Sequence, residues 1–469
     1  MEIAVAPPLV AAPPGSARTE LAALLRLATP LVGANLLQMA IAAVDVVFVA
    51  RLGAVDLAAA TLGAFLFNLL SYALIGLTGA AAPLIAAELG RRAHAVREVR
   101  RSFRMALWVG LLCSIPVMLL LWQGEALFRL FGQDADVAAR AGHFLRVVLA
   151  AVPLAVAAGV MRTTAAALGR PSWTFLVTGV ALAIDIVGNW AFVFGRLGAP
   201  AMGLAGSALA NLLAFAVMLL VYGLILMRDR RLRRFRLLGR WWRADPARMR
   251  DIFRLGLPIM ALWLLEGGLF GGAAVLMGLI GVAEVAAHAI ALNIAAFAFQ
   301  LPFGIAQAAT IRVGLAFGAG DRRWVARAGN VALVLGIGVM AATALIIWTA
   351  PRLLIGAYIE PDLPANAAVA ALAERFLAVA AVFQLADGAQ AVAAGVLRGL
   401  QDTRVPMLIA VFGYWVVGFG SSVALGFFTP LAGTGVWWGL AAGLLVVALL
   451  LVARWSARVR LGLTPAPTR

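Results

Sequence analysis

Apolar stretches long enough to cross a bilayer follow one another almost from end to end of this chain, and no other feature restricts its fold as much. A membrane helix needs roughly 20 mostly apolar residues. Twelve such stretches are read, over 24–50, 55–88, 104–122, 137–168, 171–195, 203–227, 252–281, 284–316, 326–350, 369–398, 404–428 and 433–453. Several exceed the span length, so tilt or protrusion from the bilayer is expected. Only 13% of the 469 residues are charged and 64% are hydrophobic. The charged share is about half the ~25% of soluble proteins, which excludes a soluble single-domain enzyme. The expected fold is an all-α polytopic membrane protein with twelve transmembrane helices.

The remaining charge is one-sided. The 38 basic residues are all Arg, and the net charge is +17. Without Lys there is neither a Walker-type phosphate-binding Lys nor a Schiff base, so ATP-driven pumping by this chain is excluded. In a soluble protein +17 would suggest nucleic acid; in a membrane protein it is loop charge. Arg concentrates in alternate loops: Arg18 and Arg26; Arg91, Arg92, Arg97, Arg100, Arg101 and Arg104; Arg170; the run 228–250; Arg322, Arg323 and Arg327; Arg398 and Arg404; then Arg454, Arg458, Arg460 and Arg469. The opposite loops hold acids such as Glu125, Asp134, Asp136, Glu360 and Asp362. The positive-inside rule then puts both termini in the cytoplasm, as an even number of spans requires. Residues 1–23 carry two Pro-Pro pairs and no basic signal-peptide start, and are read as an uncleaved disordered cytoplasmic tail. Arg-only usage with abundant Ala and Gly suggests a GC-rich bacterial genome, hence the bacterial inner membrane. One cysteine, Cys113, precludes an intrachain disulfide, and His94, His143 and His288 are too scattered to form a metal cluster.

The spans divide into two halves. Arg26-Leu27 and Pro30, followed by Gly53, Asp56, Ala58 and Ala59, recur at constant offset as Arg254-Leu255, Pro258, Gly281, Glu284, Ala286 and Ala287. The regions around Gly90 and Gly169 recur near Gly318 and Gly399. Six spans repeated in the same orientation make two pseudo-symmetric six-helix lobes related by an axis along the membrane normal, an arrangement typical of transporters with a midplane cavity. The expected organisation is a tail (1–23), an N-lobe (24–227), a basic cytoplasmic linker (228–251), a C-lobe (252–453) and a cytoplasmic tail (454–469). The linker is read as a topology anchor, with Trp241 and Trp242 at the interface.

Four acids lie inside the spans: Asp45, Asp185, Glu266 and Asp387. A charge at mid-membrane costs roughly 2.5–3.5 kcal/mol on insertion scales, so each one asks for an explanation. Each can stand as a neutral acid or, when ionised, as a cation ligand, and either state suits coupling to a proton or sodium gradient. Asp185 and Asn189, four residues apart, share a helical face, and with Asp45 could supply the oxygens a hard cation prefers. The structural alternative for Asp45 and Asn189 is an interhelical hydrogen bond. Glu266 is followed by Gly267, Gly268, Gly271 and Gly272, a close-packing pattern, and Asp387 is flanked by Gln384 and Gln390. Arg398 is expected to snorkel to the cytoplasmic face rather than pair with Asp387. Trp190, Trp263, Phe270, Phe299, Tyr414 and Trp415 lie in or beside the acid-bearing spans and could present ring faces to organic cations, packing being the alternative. Gln38, Gln300 and Gln384 complete the candidate cavity. His288 is read as a hydrogen-bonded helix-end residue.

Four strings taken together resemble the multidrug and toxic compound extrusion (MATE) transporters, within them the NorM-like subgroup: LATPLVGANLLQMAIAAVDVVFVARLG with DLAA after it, LGLPIMALWLLEGGLF, QLPFGIAQAATIRVG, and VFQLADGAQAVAAGVLRGLQDTRVPM. Their order and spacing cover nearly the whole chain. The resemblance implies two six-helix lobes, a V-shaped cavity, and export of cationic amphiphilic small molecules in exchange for Na+ or H+, with no cofactor, enzymatic activity or nucleic-acid partner and a monomeric chain. It also implies that Glu266 and Asp387 serve cation coupling and substrate binding in the C-lobe, and that Asp45 is the N-lobe acid of the first helix. Asn189 matches a position that is Asn in NorM-like members and Asp in another branch. Na+ could then sit at Asp45, Asp185 and Asn189, or at Glu266 and Asp387. The sequence departs from the pattern at Val46 and Val47, where Thr usually follows the acid, and at Asp185, where Asn is usual; both leave open which lobe couples and to which ion.

Two other classes are weighed. A lipid-linked oligosaccharide flippase of the same superfamily would need further spans or a basic cavity for pyrophosphate, and the Arg residues read as loop residues. A membrane enzyme would need a metal set or nucleophile elbow, neither of which is present, and a fixed pore fits the two-half repeat less well than alternating access.

Overall fold

The computed structural model describes residues 15–91, 95–239 and 241–464. Arg92, His94, Arg240, residues 1–14 and Arg469 lie outside them. The described residues are helical and connected by short turns, with no strand. Eleven helices are long and apolar enough to cross a membrane, and a twelfth span exists if the pair Ala135–Val148 and Ala151–Ala167, bent by 51°, counts as one.

The order of elements repeats. The first half contains α1 (Ala17–Ala50), α2 (Ala54–Thr78), α3 (Ala81–Arg91), α4 (Ala95–Trp122), a short α5 (Gly124–Leu130), α6 (Ala135–Val148), α7 (Ala151–Ala167), α8 (Ser172–Phe194) and α9 (Leu204–Arg228). The second half contains α10 (Pro246–Ile280), α11 (Val282–Gly318), α12 (Arg322–Thr349), a short α13 (Pro351–Ile355), α14 (Ala367–Gly399), α15 (Arg404–Ala410), a π-helical stretch (Val411–Phe419), α16 (Gly420–Phe427) and α17 (Ala432–Ser456). Corresponding helices match closely in length: α4 and α12 have 28 residues each, α9 and α17 have 25 each. The halves differ where α14 runs unbroken and α6–α7 bends.

The chain divides into two compact units whose boundaries are not those of the sequence repeat. Unit 1 takes Gly33–Met260, and unit 2 takes Ala261 onward together with the described residues up to Val32. The first helix of each half therefore passes from one unit to the other within a continuous helix, shortly after an internal proline, Pro30 in α1 and Pro258 in α10. The expected tail is corrected as well: α1 begins at Ala17, seven residues before the expected start at 24, and Glu20 is fully buried.

Inside a bilayer apolar residues gain little by leaving lipid, so helix packing depends on small residues that let backbones approach. In unit 2, α14 packs on α11, α12 and α17. A Cβ at Gly395 would stand 2.7 Å from the Ala306 carbonyl oxygen, and one at Gly443 2.6 Å from the Gly418 backbone. In unit 1, α9 packs on α8 and α7, and Gly206 abuts the backbone of Phe192.

The linker is not a free tether. Leu232, Phe235 and Leu237 are buried, Arg100 Nε donates to the Phe235 carbonyl (3.0 Å), and Trp108 Nε1 donates to the Trp241 carbonyl (2.8 Å) while the two indoles stack. Arg101 Nε donates to Asp245 at 2.5 Å. That guanidinium holds the Asp245 carboxyl below the usual carboxylate range. The basic segment thus belongs to unit 1.

Candidate functional site

In unit 1 the three polar residues expected on α1 and α8 converge. Asn189 Nδ2 donates to Asp45 Oδ1 (2.9 Å) and stands 3.2 Å from Asp185 Oδ2, and it also reaches the Asp185 backbone carbonyl one turn back at 3.0 Å. Asp185 and Asn189 are fully buried, whereas Asp45 is half-buried. Two residues that sequence reasoning missed complete the cluster from α9: Asn211 Nδ2 donates to Asp45 Oδ2 (2.7 Å), and Ser207 Oγ lies 3.4 Å from Asp45 Oδ1. Their signal was present, since Ser207 and Asn211 are four apart in an apolar span and so share a face. Asp185 Oδ1 and Asn189 Oδ1 are buried with no hydrogen-bond partner, leaving acceptor oxygens available to a proton or a hard cation.

Unit 2 repeats this logic with other residues. Gln390 Nε2 donates to both Glu266 Oε1 (3.2 Å) and Asp387 Oδ1 (3.1 Å), and its own Oε1 accepts from the Tyr414 hydroxyl (2.8 Å). Tyr414 stands on the π-helical stretch, a local widening often found at functional sites. In each unit, then, one side-chain amide bridges two carboxylates from different positions. No Arg lies within ion-pair distance of any of the four acids among the described residues, and Arg398 pairs with neither Asp387 nor Glu266.

The other candidates disperse. Gln384 is fully buried with both amide atoms unpartnered, and Gln300 donates to Ala296 one turn back in its own helix. Phe299 stacks on Phe303, which meets Trp263 edge-on. Trp415 packs against Phe419 and Gly268. Trp190 and Trp415 are 45% and 39% exposed, and Phe270 is half-buried; none of the three bonds to a carboxylate cluster. His288 departs from its expected hydrogen bond: it is buried, both ring nitrogens lack partners, and the ring meets Trp437 edge-on at 5.5 Å. No group of three or more His, Cys, Asp and Glu suited to a metal occurs among the described residues.

Gln38 lies elsewhere in unit 1, in a small pocket of about 50 Å³ with Asn68, Ser71, Tyr72, Arg162 and Thr178 on its wall. Arg162 corrects the view that the arginines belong to the loops. A second correction is Arg312 on α11, which is 1% exposed and paired with Glu20.

The comparisons with known proteins follow the same division into halves. The family model MatE matches residues 30–191 and again 258–423, once in each half. The chain belongs to the MatE family of MATE transporters. Among its relatives are the probable multidrug resistance protein NorM of Mesorhizobium japonicum, 47% identical over 96% of each chain, and that of Brucella suis, 42% identical over 93% of each. The multidrug resistance protein NorM of Burkholderia vietnamiensis is 37% identical, over 92% of this chain and 93% of its own. The fold is shared with an outward-facing multidrug resistance MATE family transporter of the MOP superfamily (TM-score 0.85, 21% identity, 96% of this chain and 98% of that one). It is also shared with the eukaryotic MATE transporter AtDTX14 (TM-score 0.83, 21% identity, 94% and 96%). Like these, the present MatE protein is a multi-pass helical membrane protein, and its two carboxylate pairs lie one in each family-model match.

Proposed function

We propose that this MatE protein is a secondary active multidrug efflux antiporter that exports organic cations in exchange for Na+ or H+ by alternating access. The observation that carries the reading is the pair of amide-bridged carboxylates in each unit, Asp45 with Asp185 and Glu266 with Asp387, with no Arg at ion-pair distance among the described residues. Two carboxylates that share one amide in a low-dielectric helix bundle do not both stay ionised by themselves: a proton neutralises one of them, or a cation balances both. Such a pair can exchange one positively charged occupant for another. An organic cation held at Glu266 and Asp387 would leave when Na+ or H+ takes its place, and that difference in affinity between states biases the conformational equilibrium. The NorM relatives carry multidrug resistance in their names, which supports the same reading.

The further particulars belong to the same proposal. The protein acts as a monomer in the bacterial inner membrane, with its Arg-rich ends and both termini cytoplasmic, and performs no enzymatic reaction. A lipid-linked oligosaccharide flippase fits less well, because a single Arg in the pocket cannot balance a pyrophosphate.

The test is transport of a fluorescent organic cation in proteoliposomes under separately imposed Na+ and pH gradients. Glu266→Gln and Asp387→Asn are each expected to abolish gradient-driven transport while inserting at wild-type levels. Undiminished transport by both variants would refute the assignment of unit 2. Asp45→Asn transporting normally under either gradient would remove the unit 1 cluster from coupling.

A further inference from the structure

We propose that the described part of the segment 228–243 in unit 1 is a binding site for anionic phospholipid headgroups, whose phosphate diester meets its guanidinium groups at the membrane surface. The proposal concerns the lipid and stands apart from the efflux reading. The segment is fixed in place. Asp229 accepts from Trp173 Nε1 at 3.0 Å and from the backbone N–H groups of Arg231 and Leu232, Arg100 Nε holds the Phe235 carbonyl, and Leu232, Phe235 and Leu237 are buried. Between these anchors Arg230, Arg231, Arg233, Arg234, Arg236 and Arg243 are exposed, and their side chains make no hydrogen bond or ion pair among the described residues. The acids at this end of unit 1 are already committed: Asp229 pairs with Arg170, Glu88 with Arg91 and Arg248, Glu98 with Arg101 and Arg248, and Asp245 with Arg101. The segment therefore presents its positive charge undiminished.

Exposed arginines alone are content with water; what selects a lipid is the level at which these stand. Trp108 Nε1 donates to the Trp241 carbonyl at 2.8 Å, and the two indoles stack with ring centres 5.9 Å apart. Trp108 marks a boundary on the membrane-spanning α4. Before it come Arg97, Arg100, Arg101 and Arg104; after it the exposed side chains are Leu111, Leu112, Ile115 and Leu119, a face turned to hydrocarbon. Stacking on Trp108 thus holds the segment at headgroup level, where Trp is favoured. Leu238 and Trp242, 41% and 70% exposed, offer apolar surface to the upper part of the acyl chains. A guanidinium binds phosphate oxygens through paired hydrogen bonds, and each basic residue close to an anionic leaflet strengthens the attraction about fivefold. A choline headgroup cancels the charge of its own phosphate, so the site selects lipids of net negative charge.

Quenching of tryptophan fluorescence by lipids brominated near the headgroup end of their acyl chains tests this on the full chain in vesicles. At equal mole fraction, brominated phosphatidylglycerol is expected to quench the wild-type protein more than brominated phosphatidylcholine, with the excess shrinking at high salt. The relative affinity for the two lipids is read from quenching curves as the anionic fraction is varied. Changing Arg233→Gln, Arg234→Gln and Arg236→Gln together should lower the preference for the anionic lipid at least about fivefold, and about a hundredfold if the three charges act independently. Trp241→Phe with Trp242→Phe should remove most of the excess quenching. The proposal is overturned if wild-type protein shows no preference for phosphatidylglycerol, a measurement that needs no variant to fold. It is equally overturned if the excess survives undiminished in the triple Arg variant or in the double Trp variant. If inorganic phosphate abolishes the excess where sodium chloride of equal ionic strength does not, the segment takes free phosphate and the lipid site is refuted. Each of these results leaves the efflux reading untouched.

Discussion

The ion pair between Glu20 and Arg312 offers the sharpest test of how unit 2 is held together. Glu20 is 0% and Arg312 1% exposed. The contact is bidentate, with Arg312 Nε to Glu20 Oε1 at 2.7 Å and Nη2 to Oε2 at 2.6 Å, and Trp324 Nε1 adds a third donor to Oε2 at 3.1 Å. The guanidinium also stands 5.3 Å from the centre of the Trp324 ring. Because both charges are withdrawn from solvent, removing one leaves the other uncompensated, at a cost of about 3–5 kcal/mol. Glu20→Gln keeps the shape and one acceptor and belongs at the lower end; Glu20→Ala adds a cavity and belongs at the upper. A domain of the size of unit 2 loses roughly 2–4 °C of melting temperature per kcal/mol, so Glu20→Gln should melt about 6 °C or more below wild type. Replacing both partners by apolar residues of similar size, Glu20→Leu with Arg312→Met, should cost less than either single change. The assay is the loss of the monodisperse size-exclusion peak after heating in detergent. Singles within about 1 °C of wild type, or a double variant at the sum of the singles, would refute the claim that this pair is buried and coupled.

Other predictions follow from the clusters and the packing. Tyr414→Phe leaves Gln390 Oε1 without its donor, and should lower stability by roughly 1–3 kcal/mol in thermal melts and slow dye transport. Asn211→Leu removes a 2.7 Å bond to Asp45 and should shift the Na+ or H+ concentration giving half-maximal transport; an unchanged value would exclude Asn211 from the ion site. Gly439→Ala would drive a methyl group into the Ser422 backbone, which cannot yield as a side chain would, so melting should fall by the equivalent of a few kcal/mol. Asp245, held below its usual range by Arg101, stabilises the fold at neutral pH. That contribution is lost as pH falls through its depressed folded value, so Asp245→Asn should be less stable than wild type at pH 7 and approach it below about pH 4 in melts across a pH series.

How much of this was legible in the sequence differed by level. The spans were readable because hydrocarbon tolerates only long apolar segments, and the repeat because Pro30 and Pro258 keep their places in it. Asp45, Asp185, Glu266 and Asp387 were conspicuous for the same reason: an acid in an apolar helix is rare and costly. Their partners were less visible. Ser207 and Asn211 are modest residues whose value depends on a carboxylate brought to them from α1, more than 160 positions earlier. Gln390 stands out in the sequence only as a neighbour of Asp387, and its bridging role depends on the side chain's direction. Glu20 reads as part of the tail because a short charged segment before a span resembles a solvated end, and nothing local announces Arg312 as its partner.

The sequence by itself determined the class of molecule, the membrane and the four acids, because each follows from the transfer free energy of a residue taken on its own or with its helical neighbours. The tertiary structure decided which polar groups meet. It made one amide bridge two carboxylates in each unit, left Arg162 unpaired in a pocket, and seated the start of α1 in unit 2. Those outcomes depend on the close approach of helices distant in sequence, which packing of small residues fixes and no single segment encodes.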